Sequence, residues 1–232
     1  MLSSMRNRFA LRLAAAALLG GVLWGTRTSV ECHGATGKGD GASAAYLVPR
    51  PRDFTAGKYK IRSTESGSVP SDDDLIASVR RGLYATAMPG WDRILSDGDI
   101  TDVVQYVKSL SPQFASQPPR PIALGDGLPS SPASIARGQQ AYDKLQCGKC
   151  HRSDGRGTSA VTDAFEDDWR MPLRAADLTE PWTFHGSATS RDIYLRFRAG
   201  IRCRRSPTPR PTPRCGTSPT TSSRSPASRC GR

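Results

Sequence analysis

Apolar residues in this chain fall into separate groups, each with its own spacing. Arg6, Arg8 and Arg12 precede the apolar run Leu13 to Trp24. That run is short for a membrane span and suits the central region of a secretory signal peptide, so the rest of the chain is expected outside the cytoplasm. An uncleaved N-terminal anchor is the alternative. Leu75, Ile76 and Val79 share one face of a predicted helix that Ser71 caps, three Asp residues open and Gly82 stops. Ser96 and Asp99 form a capping box for a second helix whose apolar stripe is Ile100, Val103, Val104, Val107 and Leu110. Six prolines between 111 and 133 predict a semi-rigid linker. Beyond it, Ser134 is a candidate N-cap for a helix bearing Ile135, Gly138, Tyr142 and Leu145. A further short helix, Asp192 to Ala199, would turn Ile193 and Phe197 inward.

Within this pattern the chain repeats itself. His33 and His151 stand 118 apart (151 less 33), and the same interval pairs Ser29 with Cys147, Cys32 with Cys150, Asp74 with Asp192 and Gly82 with Gly200. Asp53-Phe54-Thr55 matches Asp177-Leu178-Thr179 at an interval of 124 (177 less 53), so an insertion before it in the later copy is balanced by a deletion after it. Two copies of one small domain are expected.

The chemistry centres on Cys147-Gly148-Lys149-Cys150-His151. Two thiols three positions apart can each add to a haem vinyl group while the next imidazole ligates the iron, so C-x-x-C-H reads as a c-type haem attachment site. A thioredoxin-like redox pair does not call for that His, and a zinc site would want a second ligand pair that the chain lacks. In the earlier copy, Ser29 replaces the first Cys of the motif ending in Cys32-His33. The glycine-rich run Gly34 to Gly41 follows it, where the backbone can pass close to a bulky ligand edge. Such a run does not follow a strand or end in Gly-Lys-Ser, as a phosphate loop would. Met88-Pro89 stands 55 residues past His33 (88 less 33). A lone Met is ordinarily core filler, but a thioether in that position is also a soft axial ligand that raises an iron's reduction potential.

The formal charge of +12 changes little once it is located. Residues 202–232 hold eight of the 33 basic residues and no Asp or Glu, which leaves 25 basic against 21 acidic in the remainder. Nucleic-acid binding is therefore not expected. The same tail has no Val, Leu, Ile or aromatic residue, so it cannot form a core and is expected to be disordered. An out-of-frame reading of a GC-rich gene gives such a change of composition; a genuine basic tail touching lipid or a partner is the other reading.

Taken together, Cys32-His33-Gly34, Gly37, Gly39-Asp40-Gly41, Met88-Pro89 and the Cys147 to His151 motif resemble a class I cytochrome c of the two-haem bacterial periplasmic type, over about residues 29–110 and 134–201. The resemblance implies an all-α fold of two tandem cytochrome c-like domains: 26–110 and 134–201, joined by the linker 111–133, after an N-terminal segment 1–25 and before the tail 202–232. It implies haem c held by Cys147 and Cys150, and by Cys32 alone at the first site. His33 and Met88 would be axial ligands of the first iron and His151 of the second.

The first domain would lack its N-terminal helix, because the leader occupies that stretch, and the second its C-terminal helix and distal Met. Ser206 stands at the position of that Met, and Met171 and His185 are substitute candidates. The implied role is periplasmic electron transfer between redox partner proteins, without substrate chemistry, and with membrane contact only if the leader stays uncleaved. A cytochrome subunit of a larger oxidoreductase, and an enzyme of the dihaem peroxidase kind, are the rival readings.

Overall fold

A computed structural model of the chain describes residues 19–20, 29–127, 129–157 and 174–199. Among them are seven α-helices: α1 Ser29–His33, α2 Asp72–Arg81, α3 Asp97–Ser109, α4 Gln113–Ser116, α5 Pro132–Lys144, α6 Gly148–His151 and α7 Ser190–Arg198. Short 3-10 turns lie at Ala44–Tyr46 and Pro181–Thr183. No β-strand occurs among the described residues, whose one isolated bridge pairs Thr64 with Pro121. The helical architecture agrees with the all-α expectation. No helix of the described residues is long and apolar enough to cross a membrane.

The two best-formed helices begin as their sequences require. The Ser71 hydroxyl accepts from the Asp74 amide at 3.2 Å, and the Asp74 carboxylate accepts from the Ser71 amide at 3.0 Å. Ser96 and Asp99 repeat this reciprocal cap on α3. Each pair satisfies amides that have no partner inside the helix. Asp72 to Asp74 at the start of α2, with Arg80 and Arg81 at its end, add a favourable interaction with the helix dipole.

α2 packs on α3, and Leu75, Val103, Val104, Val107 and Tyr59 form the main core, with Phe54, Ile76, Val79, Tyr106 and Phe114 against it. Full burial of each large apolar side chain contributes roughly 1.5–3 kcal/mol. The Lys108–Asp72 pair at 2.7 Å also joins the two helices. As a partly exposed ion pair it adds at most about 1 kcal/mol.

Three expectations need correction. Leu19 and Gly20 are helical, and Gly20 is buried. A Cβ on Gly20 would lie 2.1 Å from the Asp102 carbonyl oxygen and 2.8 Å from Tyr106 Cβ, so main chain meets main chain against α3. The place expected to be empty for want of an N-terminal helix is therefore filled at this point. Gly138 of α5 stands 118 after Gly20 (138 less 20), and nothing lies within 4 Å of its Cβ position.

The α5 helix starts earlier than predicted. Ser131 is its N-cap and Pro132 its first residue, with Ser134 making the reciprocal bond from the first turn. Pro132 needs no amide partner there, which is why it is tolerated.

The segment read as a semi-rigid linker, 111–133, is hydrogen-bonded to the first half of the chain. Ile122 donates to Ser63 O at 2.9 Å, Glu65 donates to Arg120 O at 2.9 Å, and the Arg120 amide donates to Ser68 Oγ at 3.0 Å. Ile122, Leu195 and Ala199 then form a second small core.

That core also explains the inner face of α7. Leu195 is buried there, whereas Phe197 is 56 % exposed. The face bearing Phe197 matches the one α2 turns to α3, and no helix of the described residues occupies the position of α3 beside α7. Two arginines complete the junction between the halves. Arg62 Nη2 donates to Ala199 O at 2.5 Å, and Arg196 Nη1 donates to Lys60 O at 2.9 Å.

Candidate functional site

α1 ends at His33, and the glycine-rich run after it folds back over the helix. The Gly39 amide donates to His33 O at 2.8 Å, Gly41 to Cys32 O at 3.3 Å and Ser43 to Glu31 O at 2.8 Å. Phe54 then crosses the loop, donating to Gly37 O at 2.8 Å. This brings the Arg52 carbonyl 3.2 Å from His33 Nδ1 and stacks the Phe54 ring on the imidazole, with centroids 4.6 Å apart. With Nδ1–H donating to that carbonyl, Nε2 carries the lone pair that could ligate a metal, an arrangement typical of metal-bound histidines. Burial lowers the His33 pKa below its ordinary value, and the bond to Arg52 O offsets part of that effect. The neutral ring, the form that ligates, is therefore favoured.

The same bonds recur in the later copy. Gly157 donates to His151 O at 3.1 Å, as Gly39 does to His33. Leu178 donates to Gly155 O at 2.7 Å, as Phe54 does to Gly37. His151 Nδ1 lies 2.9 Å from Ala176 O. Asp53 Oδ1 accepts from the Thr55 amide and hydroxyl at 2.9 and 2.6 Å, and Asp177 Oδ1 accepts from the Thr179 amide and hydroxyl at 2.8 and 2.6 Å.

Gly39 and Gly157 carry positive φ values of 73° and 71°. A Cβ on the first would meet Pro51 O at 2.5 Å, and on the second Ala175 O at 2.4 Å. Only glycine lets the segment after the loop approach closely enough to place a carbonyl on the imidazole.

The thiols of Cys32, Cys147 and Cys150 are free and half-buried. Burial raises the Cys147 pKa, and the charges of Cys150 and Asp143 add to the rise. Tyr142 of α5 donates through its hydroxyl to Arg152 O at 2.5 Å, tying that helix to the end of the anchor turn.

Met88 is half-buried in a turn after α2. Its amide donates to Thr86 Oγ1 at 3.1 Å and its carbonyl accepts from Leu83 N at 3.0 Å. His185 belongs to a different neighbourhood, with Nδ1 2.7 Å from Tyr84 O in the segment leading to Met88. Met171 and Ser206 lie outside the described residues. Among the described residues, no three His, Cys, Asp or Glu side chains gather to hold a metal ion.

Sequence reasoning missed Tyr59. Its ring continues the aromatic series from His33 and Phe54, 6.0 Å from Phe54 and edge-on to Phe114 at 5.5 Å. Its hydroxyl is buried without a hydrogen-bond partner, and burial pushes its pKa far above the ordinary tyrosine range. An orphaned donor costs about 1–3 kcal/mol, so a group that accepts from it would be favoured there. A tyrosine in a polar-apolar stretch gives no sign of this before packing is known. The repeated Asp-Phe-Thr and Asp-Leu-Thr segments were the nearest signal.

The orphaned Tyr59 hydroxyl, the carbonyl-held imidazoles of His33 and His151, and the half-buried thiols beside them together fit haem c. Among known protein families, Cytochrome c matches residues 20–111. No curated protein matches the chain. A solved chain of the Kuenenia stuttgartiensis reducing HAO-like protein complex is 36% identical, with a TM-score of 0.73 over 78% of this chain and 82% of that one. With a cytochrome c domain that implies covalently bound haem c and an electron-transfer role, and with a relative alike over most of both lengths, this chain belongs to the cytochrome c family.

Proposed function

We propose that the protein is an exported electron carrier with two haem sites, one in each copy of the repeat. The observation that carries this reading is the recurrence of the bonds around His33 and His151, each ring held through Nδ1 by a backbone carbonyl. When bound, haem c supplies an iron that alternates between the ferric and ferrous states.

Each part of the chain then has a distinct task. Cys147 and Cys150 would form the two thioether links of the second site, and Cys32 a single link at the first, where Ser29 has no thiol. His33 and His151 would present Nε2 to the irons of the two sites, and Met88 a soft thioether to the iron of the first. The stacked Phe54 and the core around Tyr59 exclude water, lowering the local dielectric and so tuning the potential. The Tyr59 hydroxyl would donate to an acceptor on the haem, which accounts for its lack of a protein partner. Met171 would be a candidate distal ligand of the second iron.

Export follows from the N-terminal pattern of arginines and apolar residues, and redox partner proteins would exchange electrons at the haem edges. A second reading, a cytochrome subunit of a larger oxidoreductase, is favoured by the similar chain's origin in a protein complex. Co-purification of a stable partner would separate the two.

The test is expression with the haem-attachment machinery, haem staining of a denaturing gel and a haem-to-chain ratio. Two covalent haems are expected, one lost in Cys147→Ser/Cys150→Ser and the other in Cys32→Ser. Colourless protein whose Cys147 and Cys150 react with a thiol reagent would reject the proposal.

A further inference from the structure

The turn that carries Met88 is not held by its own half of the chain alone. Ala85, three residues before Met88, has φ of 54°, a left-handed backbone that an alanine adopts only under constraint. The peptide group just before that strained residue presents its oxygen, Tyr84 O, to His185 Nδ1 at 2.7 Å. Tyr84 and His185 are 101 residues apart.

His185 is in turn placed by the junction between the halves. A Cβ on Gly186 would lie 2.1 Å from Arg196 Nη2 and 3.8 Å from Ile61. Arg196 reaches across to Lys60 O at 2.9 Å. A docked α7, the arginine that crosses from it and the glycine beneath that arginine therefore set where the imidazole stands.

We propose that His185 is a positioning residue for Met88. Its Nδ1–H donates to Tyr84 O, holds the Tyr84–Ala85 peptide in the orientation that the left-handed Ala85 requires, and so keeps the Met88 turn closed. The second half of the chain thereby sets how firmly the first iron keeps its thioether. A weaker hold favours displacement of the thioether by outside ligands and lowers the potential of the first haem, so docking of one half adjusts the redox behaviour of the other. His185 is on this account oriented toward the first site and is not the distal ligand of the second.

The proposal rests on the reading of Met88 as an iron ligand, and the experiment separates the two. Full-length haem-loaded protein is compared with His185→Phe, which removes the donor, and His185→Gln, which can still donate. The readouts are the methionine-to-iron charge-transfer absorption, titration with imidazole and hydrogen exchange of the amides of residues 83–90.

The Phe variant is expected to bind imidazole at the first haem about fivefold more tightly, the scale of one net hydrogen bond, and to exchange the turn amides faster. The Gln variant should stay within about twofold of the unaltered protein. Ala85→Gly in the Phe background should recover part of the loss, because glycine relieves the strained φ.

Equal behaviour of Phe and Gln, no change in either, or a change confined to the second haem would overturn the positioning role while leaving Met88 in place. Absence of the charge-transfer band from the unaltered protein would instead overturn the Met88 assignment, and the proposal with it.

Discussion

Replacing Gly39 with alanine tests how the His33 site is assembled. The backbone at Gly39 has φ of 73°, so an alanine there pays roughly 1–2 kcal/mol for the left-handed conformation alone. Its Cβ would also lie 2.5 Å from Pro51 O and 3.1 Å from both the carbonyl carbon and oxygen of Arg52. These obstacles are main-chain atoms, which cannot swing aside as a flexible side chain would, so overpacking adds about 1–3 kcal/mol. A loss of about 3 kcal/mol is expected for Gly39→Ala.

Two other glycines separate the contributions. Gly67 has φ of 80° with nothing within 4 Å of its Cβ position, so Gly67→Ala reports strain without a clash and should cost about 1 kcal/mol. Gly125 has open space and no positive φ, so Gly125→Ala should be neutral or stabilise by up to about 1 kcal/mol. The assay is urea unfolding of each variant, with the slope checked so that a shifted midpoint reads as a change in stability. Gly157→Ala should rank with Gly39→Ala, since its Cβ would stand 2.4 Å from Ala175 O. Because the displaced Pro51 and Ala175 carbonyls directly precede the residues whose carbonyls bond the imidazoles, Arg52 and Ala176, the costly variants should also loosen the ring, seen as weaker His–iron ligation in the spectrum of the loaded protein. If Gly39→Ala unfolds at the same midpoint as Gly67→Ala, the close approach of the two backbone segments does not hold.

Three further outcomes are expected. Asp74 accepts from Ser63 N at 2.9 Å, Ser63 Oγ at 3.1 Å and Ser71 N at 3.0 Å, so Asp74→Ala should cost about 3 kcal/mol against about 1 for Ser71→Ala; equal urea midpoints would show that Asp74 only caps α2. Burial raises the Tyr59 pKa, so the folded chain keeps the phenol protonated where the unfolded chain releases its proton, near pH 10. Stability is then present below about pH 10 and lost as pH climbs above it, and Tyr59→Phe should flatten that decline in alkaline unfolding curves, whereas an unchanged slope would contradict the burial. Ile122→Ala should cost about 2–4 kcal/mol and speed proteolysis of the segment 111–133, because Ile122 seals the small core with Leu195 and Ala199; a loss under about 0.5 kcal/mol would mean that segment is a free tether.

Local features were legible before folding because local interactions set them. Ser71 with Asp74, and Ser96 with Asp99, announce helix starts that depend on three neighbouring residues. The alternation of Ile100, Val103, Val104 and Val107 places four side chains on one face whatever lies opposite. The repeat at 118 was visible in the spacing of Cys, His, Asp and Gly, and its hydrogen bonds follow because equal local sequences fold alike. In contrast, the N-cap of α5 is Ser131 rather than the expected Ser134, since Pro132 makes a better first residue than it makes a linker residue.

The inner face of α7, read as Ile193 and Phe197, is instead centred on Leu195. Its Ile193, Leu195 and Phe197 are all apolar, and which of them is buried depends on where Ile122 arrives from 70 or so residues earlier in the chain.

From its own order of residues, then, the chain declares two Cys-His anchors, the glycine loops that follow them and the helices around them, because each of these is settled within a few residues. Folding in space alone decides that Arg52 and Ala176 lend their carbonyls to the two imidazoles, that the Tyr59 hydroxyl is left without a partner, and that His185 reaches Tyr84. Those contacts join segments 19, 25 or 101 residues apart, or bury one hydroxyl among neighbours that offer it no acceptor, and they depend on the summed packing of elements rather than on any short stretch.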